Sequence, residues 1–91
     1  MAIKTFQYAL AQDVRQLIAP PSVQPQEVHI HNHEHSQGRN LYIGDETVTV
    51  TTGHHVLAET DIVIYLQPGQ YLYGITPDGA GCDVTVLCVE K

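Results

Sequence analysis

Between Asp61 and Gln67 the chain alternates. Ile62, Ile64 and Leu66 occupy the even positions of a β-branched and aromatic run, and a two-residue period of this kind predicts a strand with one apolar face. Pro68-Gly69 punctuates it as a turn. Gln70–Thr76 resumes the strand pattern, with Tyr71, Tyr73 and Ile75 sharing a face. Pro77-Asp78-Gly79-Ala80-Gly81 reads as a second turn, and Cys82–Val89 as a third strand. Three strands joined by tight turns predict an antiparallel meander. Upstream, Pro25–His31 alternates with Val28 and Ile30 facing inward, and Asn40–Gly44 is a short strand. Thr47–Thr52 interleaves threonine with valine and predicts a half-buried strand. Gly53-His54-His55 reads as loop, followed by a short apolar piece, Val56-Leu57-Ala58.

The N-terminal third fits two periods. Leu10, Val14, Leu17 and Ile18 recur at helical spacing, so residues 9–19 could form an amphipathic helix. Ile3–Leu10 and Val14–Ile18 could equally be two strands meeting at Gln12-Asp13. The strand reading is preferred because the rest of the chain is strand. Pro20-Pro21-Ser22-Val23-Gln24-Pro25 ends either version as a stiff, extended connector. The sum is an all-β chain of seven to eight short strands, an antiparallel β-sandwich or small barrel. No linker divides it. The expectation is one β-sandwich domain over residues 1–91, with residues 1–25 as a candidate N-terminal arm.

Composition narrows the function classes. A chain of 91 residues has room for one thin core. Small domains of this size often gain stability by association. Ten carboxylates face four basic residues, and Lys4, Arg15, Arg39 and Lys91 form no cluster. Phosphate neutralisation needs several grouped cations, so nucleic acid and anionic membrane surfaces are not expected partners. No apolar run reaches the ~20 residues of a spanning helix, and Met1–Gln7 lacks the pattern of a signal peptide. Assembly in a cytoplasm is therefore expected. Cys82 and Cys88 lie in one strand, about 20 Å apart at the strand rise. That is too far for a mutual disulfide, and both read as buried, inert thiols.

Chemistry concentrates in Val28-His29-Ile30-His31-Asn32-His33-Glu34-His35. On a strand, alternate imidazoles share a face at about 7 Å. This makes His29, His31, His33 and Glu34 a candidate site for zinc, nickel or iron. The plainer reading gives His29 and His31 to the outward polar face of a strand and places His33 and His35 in a polar loop, with no metal. The cupin metal motif also begins His-x-His, but Glu34 follows His31 too soon and no histidine follows Pro68-Gly69. The chain lacks Gly-x-Ser-x-Gly, a phosphate-binding glycine loop and a dinucleotide fingerprint. Its only serines, Ser22 and Ser36, sit in proline-rich or polar segments. An enzyme is not expected.

From Val28 to Glu90 the sequence resembles small virion proteins of tailed bacteriophages. The likeness is carried by Val28-His29-Ile30-His31-Asn32, then Leu41-Tyr42-Ile43-Gly44-Asp45, then the valine-threonine stretch Val48–Gly53. It continues through Leu66-Gln67-Pro68-Gly69-Gln70-Tyr71-Leu72-Tyr73-Gly74-Ile75 and closes on Val84-Thr85-Val86-Leu87. The histidine-rich segment from Asn32 to Arg39 departs from the pattern. The resemblance implies a non-enzymatic β-sandwich located in the virion: a capsid decoration (cement) protein, homotrimeric, whose partner is the major capsid protein. It equally admits a tail, collar or fibre-base component. Two other classes remain open from the residues themselves. One is a carbohydrate- or host-surface-binding module using Tyr42, Tyr65, Tyr71 and Tyr73, although their alternation suits core packing better. The other is an oligomer stapled by metal at the histidine row.

Overall fold

The structure is a computed structural model that describes residues 3–32, 40–57, 60–77 and 81–91, and these residues contain eight strands and no helix. In chain order the strands are β1 (Ile3–Leu10), β2 (Gln16–Ala19), β3 (Gln26–Asn32), β4 (Leu41–Gly44), β5 (His54–Val56), β6 (Asp61–Leu66), β7 (Leu72–Ile75) and β8 (Cys82–Glu90). They form two four-stranded sheets, ordered β1-β8-β3-β6 and β2-β7-β4-β5, with every neighbouring pair antiparallel. The chain changes sheet at every connection except β4 to β5. An eight-stranded sandwich with this order is a jelly roll. The sandwich expectation holds, and the strand alternative for residues 9–19 is the one observed.

Alternation builds the core. Val28, Ile30 and Asn32 of β3 point inward beside Cys82, Val84, Val86 and Cys88 of β8, all at most 2% exposed. The second sheet contributes Ile18, Ala19, Leu41, Ile43, Val56 and Leu72. Each fully buried aliphatic side chain stabilises the fold by roughly 1.5–3 kcal/mol relative to exposure. Gly74 lets Leu41 and Ile18 approach closely: a β-carbon there would meet them at 3.3 and 3.4 Å.

Three local expectations are corrected. The C-terminal strands do not form a meander: β6 edges the first sheet, β7 lies inside the second, and β8 inserts between β1 and β3. Tight turns are compatible with either path. Each crossing puts the apolar face of its strand against the opposite sheet, as packing of two sheets requires. Next, Thr47–Thr52 is not a strand. Its hydroxyls satisfy nearby backbone instead: Thr49 Oγ1 accepts from the Thr51 and Thr52 amides at 3.3 and 3.1 Å, and Thr52 Oγ1 accepts from the Thr49 amide at 3.1 Å. Asp45 Oδ1 starts the segment by accepting from the Thr47 amide and hydroxyl at 2.8 and 2.6 Å. Such side-chain bonds compete with a ladder. His54-His55, expected as loop, begins β5 in consequence.

The threonine loop packs against the second sheet. Val48 is buried at 3% exposure, and its carbonyl accepts from Arg15 Nε at 2.6 Å. The approach is so close that a β-carbon on Gly53 would lie 2.7 Å from Tyr42 Cβ. The third correction concerns the tyrosines. Leu72 and Gly74, rather than Tyr71 and Tyr73, are the buried residues of that stretch, joined by Ile75 and Thr76. None of Tyr42, Tyr65, Tyr71 or Tyr73 is a core residue, and Tyr65 is 69% exposed.

Residues 1–25, the candidate arm, contain β1 and β2. β1 pairs with β8 over eight positions, from Ile3 opposite Val89 to Leu10 opposite Cys82. The proline connector is tied down at the sandwich end: Gln26 Nε2 donates to the Pro20 carbonyl at 3.0 Å, and the Gly69 amide to the Ser22 carbonyl at 2.8 Å. Gly69 supplies the positive φ, 83°, that the predicted Pro68-Gly69 turn requires.

Asn32 joins the two sheets. It is fully buried at the end of β3; its Nδ2 donates to the Val56 carbonyl of β5 at 3.0 Å, and its Oδ1 accepts from Cys82 Sγ at 3.2 Å. Asn32→Ala strands a buried carbonyl and is expected to lower unfolding free energy by about 1–3 kcal/mol, measured by urea denaturation. A midpoint equal to that of the parent protein would show that the bridge contributes nothing.

Candidate functional site

His29 and His31 lie on the outer face of the β1-β8-β3-β6 sheet. Register fixes its neighbours. One row across the sheet reads Ile3, Val89, Glu27, Tyr65; the next reads Thr5, Leu87, His29, Val63; the third reads Gln7, Thr85, His31, Asp61. His29 and His31 therefore share a face, as the two-residue period requires.

Each imidazole meets a carboxylate. His29 Nε2 lies 2.8 Å from Glu27 Oε2, two residues earlier on the same face of β3. His31 Nδ1 lies 2.6 Å from Asp61 Oδ1, directly across the β3–β6 pair. Lys91 Nζ approaches the other Glu27 oxygen at 3.7 Å. The hydrogen bond from His29, helped by Lys91, holds the Glu27 carboxyl below the usual glutamate range, against a desolvation that pushes the other way.

Among the described residues, no three His, Cys, Asp or Glu side chains come together as a metal-binding group. His33 and Glu34, the other two candidate ligands, lie outside the described residues. His54 and His55 belong to the opposite sheet and do not join His29 and His31. His55 stacks on Tyr42, with ring centroids 4.7 Å apart, and its Nε2 meets Asn40 Oδ1 at 2.7 Å. Cys82 and Cys88 are buried thiols in no disulfide, and desolvation raises the Cys88 thiol pKa, which suppresses the thiolate.

The sequence reading missed what surrounds the histidines. Apolar side chains share their face: Ile3 is 65% exposed, Val63 42% and Tyr65 69%. Leu87 and Val89 are half-buried between them. The strand pattern predicted one apolar face for β6, and Val63 and Tyr65 make the second. A run apolar at successive positions, Ile62-Val63-Ile64-Tyr65-Leu66, was the available signal. On the other sheet, Asp45, Gly69, Gln70 and Tyr71 line a shallow cleft of about 300 Å³. Tyr71 packs edge-to-face on Tyr73 at 5.8 Å, and desolvation followed by the Glu46 carboxylate raises its phenol pKa.

No family model matches the sequence, and no curated protein matches it. The fold is similar to a solved chain from Bacillus endospore appendages, described as disulfide-linked pili. The TM-score is 0.58 at 9% identity, covering 98% of this chain and 85% of that one. The likeness is one of fold.

The Glu27–His29 pair has a pH signature. Because the folded Glu27 pKa is lowered, its contribution to stability is present above the ordinary glutamate pKa and is lost as pH falls through the lowered value. Carboxyl-detected NMR titration should find Glu27 ionising below the ordinary glutamate range, and His29→Ala should move it upward. An unchanged Glu27 titration in that variant would remove the hydrogen bond as the cause.

Proposed function

We propose that this protein is a non-enzymatic structural module that coats a larger protein lattice, in the manner of a capsid decoration protein on a tailed-phage head. The observation that carries the proposal is the outer face of the β1-β8-β3-β6 sheet. Ile3, Val63 and Tyr65 stand exposed there beside paired His29–Glu27 and His31–Asp61 groups. A face that mixes exposed apolar and polar side chains in this way suits contact with another protein surface. Jelly rolls serve in capsids, lectins and cupins, and the solved chain with a similar fold comes from endospore appendages described as disulfide-linked pili. Both support an architectural role. The resemblance of Val28–Glu90 to phage virion proteins supports a place in a virion, and within it the proposal is the capsid, with the major capsid protein as partner.

A second reading has one observation in its favour. The cleft of Asp45, Gly69, Gln70 and Tyr71 sets an aromatic ring beside carboxylate and amide groups, a combination suited to a saccharide. Binding on a glycan array that Tyr71→Ala abolishes would favour it over the structural reading.

The structural reading is tested by co-sedimentation with purified, expanded tailed-phage capsids. Saturable binding that raises the capsid melting temperature is expected, and Val63→Lys/Tyr65→Lys is expected to weaken it. Protein left wholly in the supernatant at all concentrations would sink the capsid assignment.

A further inference from the structure

The two edges of the β1-β8-β3-β6 sheet are unlike those of its partner sheet. β5 has three residues, and β2 has four with a register shift between Leu17 and Ala19. Short and irregular edges are poor templates for further pairing. β1 and β6, by contrast, run for eight and six residues in unbroken register with their neighbours. Neither contains proline, and each carries a single charge, Lys4 on β1 and Asp61 on β6. Such edges leave a row of unpaired backbone groups.

We propose that copies of this protein join edge to edge, β6 of one subunit pairing antiparallel with β1 of the next. Strand direction permits it without inverting a subunit. With all three pairs in the sheet antiparallel, β1 and β6 of one copy run in opposite directions. A translated or rotated neighbour therefore presents its β1 antiparallel to β6. The pairing reads head to tail, so it closes into a ring or continues as a filament according to the rotation at each step.

The side chains match along the rows. Ile3 and Tyr65 end the same outer row at opposite edges, at 65% and 69% exposure. Carrying the rows across the junction sets Tyr65 opposite the next subunit's Ile3, and Val63 opposite its Thr5. On the inner face, Ile62 ends the row that Phe6 begins, and both are only partly buried against the core. The junction makes them cross-strand neighbours, which covers both edges of the core. Aromatic–aliphatic pairs of this kind stabilise sheets. The opposed positions include no like charges. Homotypic pairing of β6 with β6 would leave Ile3 uncovered. A one-residue slip would turn Tyr65 against the inner face.

The inference rests on the structural reading for its purpose, but its test uses isolated protein, so the two fail separately. Ile3→Cys and Tyr65→Cys are made as two single variants, mixed in equal amounts and mildly oxidised. Directly opposed strand residues lie within disulfide reach, while native Cys82 and Cys88 are buried and serve as the blank. A covalent dimer is expected in the mixture and not in either variant alone. Light scattering should also show the parent protein larger than its 10.1 kDa chain, and Val63→Lys/Tyr65→Lys reduced to monomer with unchanged circular dichroism. A cross-link in Tyr65→Cys alone would overturn the proposal in favour of homotypic pairing. No cross-link in the mixture, together with a monomeric parent protein, would overturn edge pairing altogether.

Discussion

The insertion of β8 between β1 and β3 holds the molecule together. One strand, Cys82–Glu90, bonds on its left to the first strand over eight positions and on its right to β3 over seven. Its inward residues Cys82, Val84, Val86 and Cys88 form the centre of the core. Until β8 arrives, β1 and the β3–β6 pair have no shared partner. Its contacts with β1 span almost the whole chain, so the entropy of closing a long loop precedes the gain from burial. Folds dominated by such pairings fold slowly among small domains.

The same arrangement leaves the two sheets with different exteriors. The β2-β7-β4-β5 sheet is partly roofed by the threonine loop, with Val48 buried and Arg15 bonded to its carbonyl. The β1-β8-β3-β6 sheet shows its outer rows to solvent, where Ile3, Val63 and Tyr65 stand among imidazole–carboxylate pairs. It is this grouping of exposed apolar side chains on one face that the proposed contact with another protein would cover.

The histidines acquire a different character in three dimensions. In the chain they form a row suggesting a metal. In the fold His29 and His31 are engaged by Glu27 and Asp61, and His54 and His55 belong to the other sheet. Carboxylate partners orient imidazoles and also compete with a cation for the same nitrogen. Among the described residues, His29 and His31 are carboxylate-paired side chains of the outer sheet face.

The sequence by itself determined the all-β class, the inward set Val28/Ile30, the burial of Cys82 and Cys88, the Pro68-Gly69 turn and the shared face of His29 and His31. These follow from a two-residue period and from local φ preferences, which act within a few residues. Tertiary structure decided the rest. Which strands pair, that β6, β7 and β8 alternate between layers, and that Asn32 bonds across to Val56 depend on partners distant in the chain, as far as Ile3 from Val89. Thr47–Thr52 had the period of a strand, but its hydroxyls closed on their own backbone and its valine packed against the second sheet. Alternation groups Tyr65 with tyrosines suited to the core, but Tyr65 lies on the face of β6 opposite Ile62, Ile64 and Leu66 and is exposed. Periodicity states which residues share a face, and only the sheet order states what that face meets.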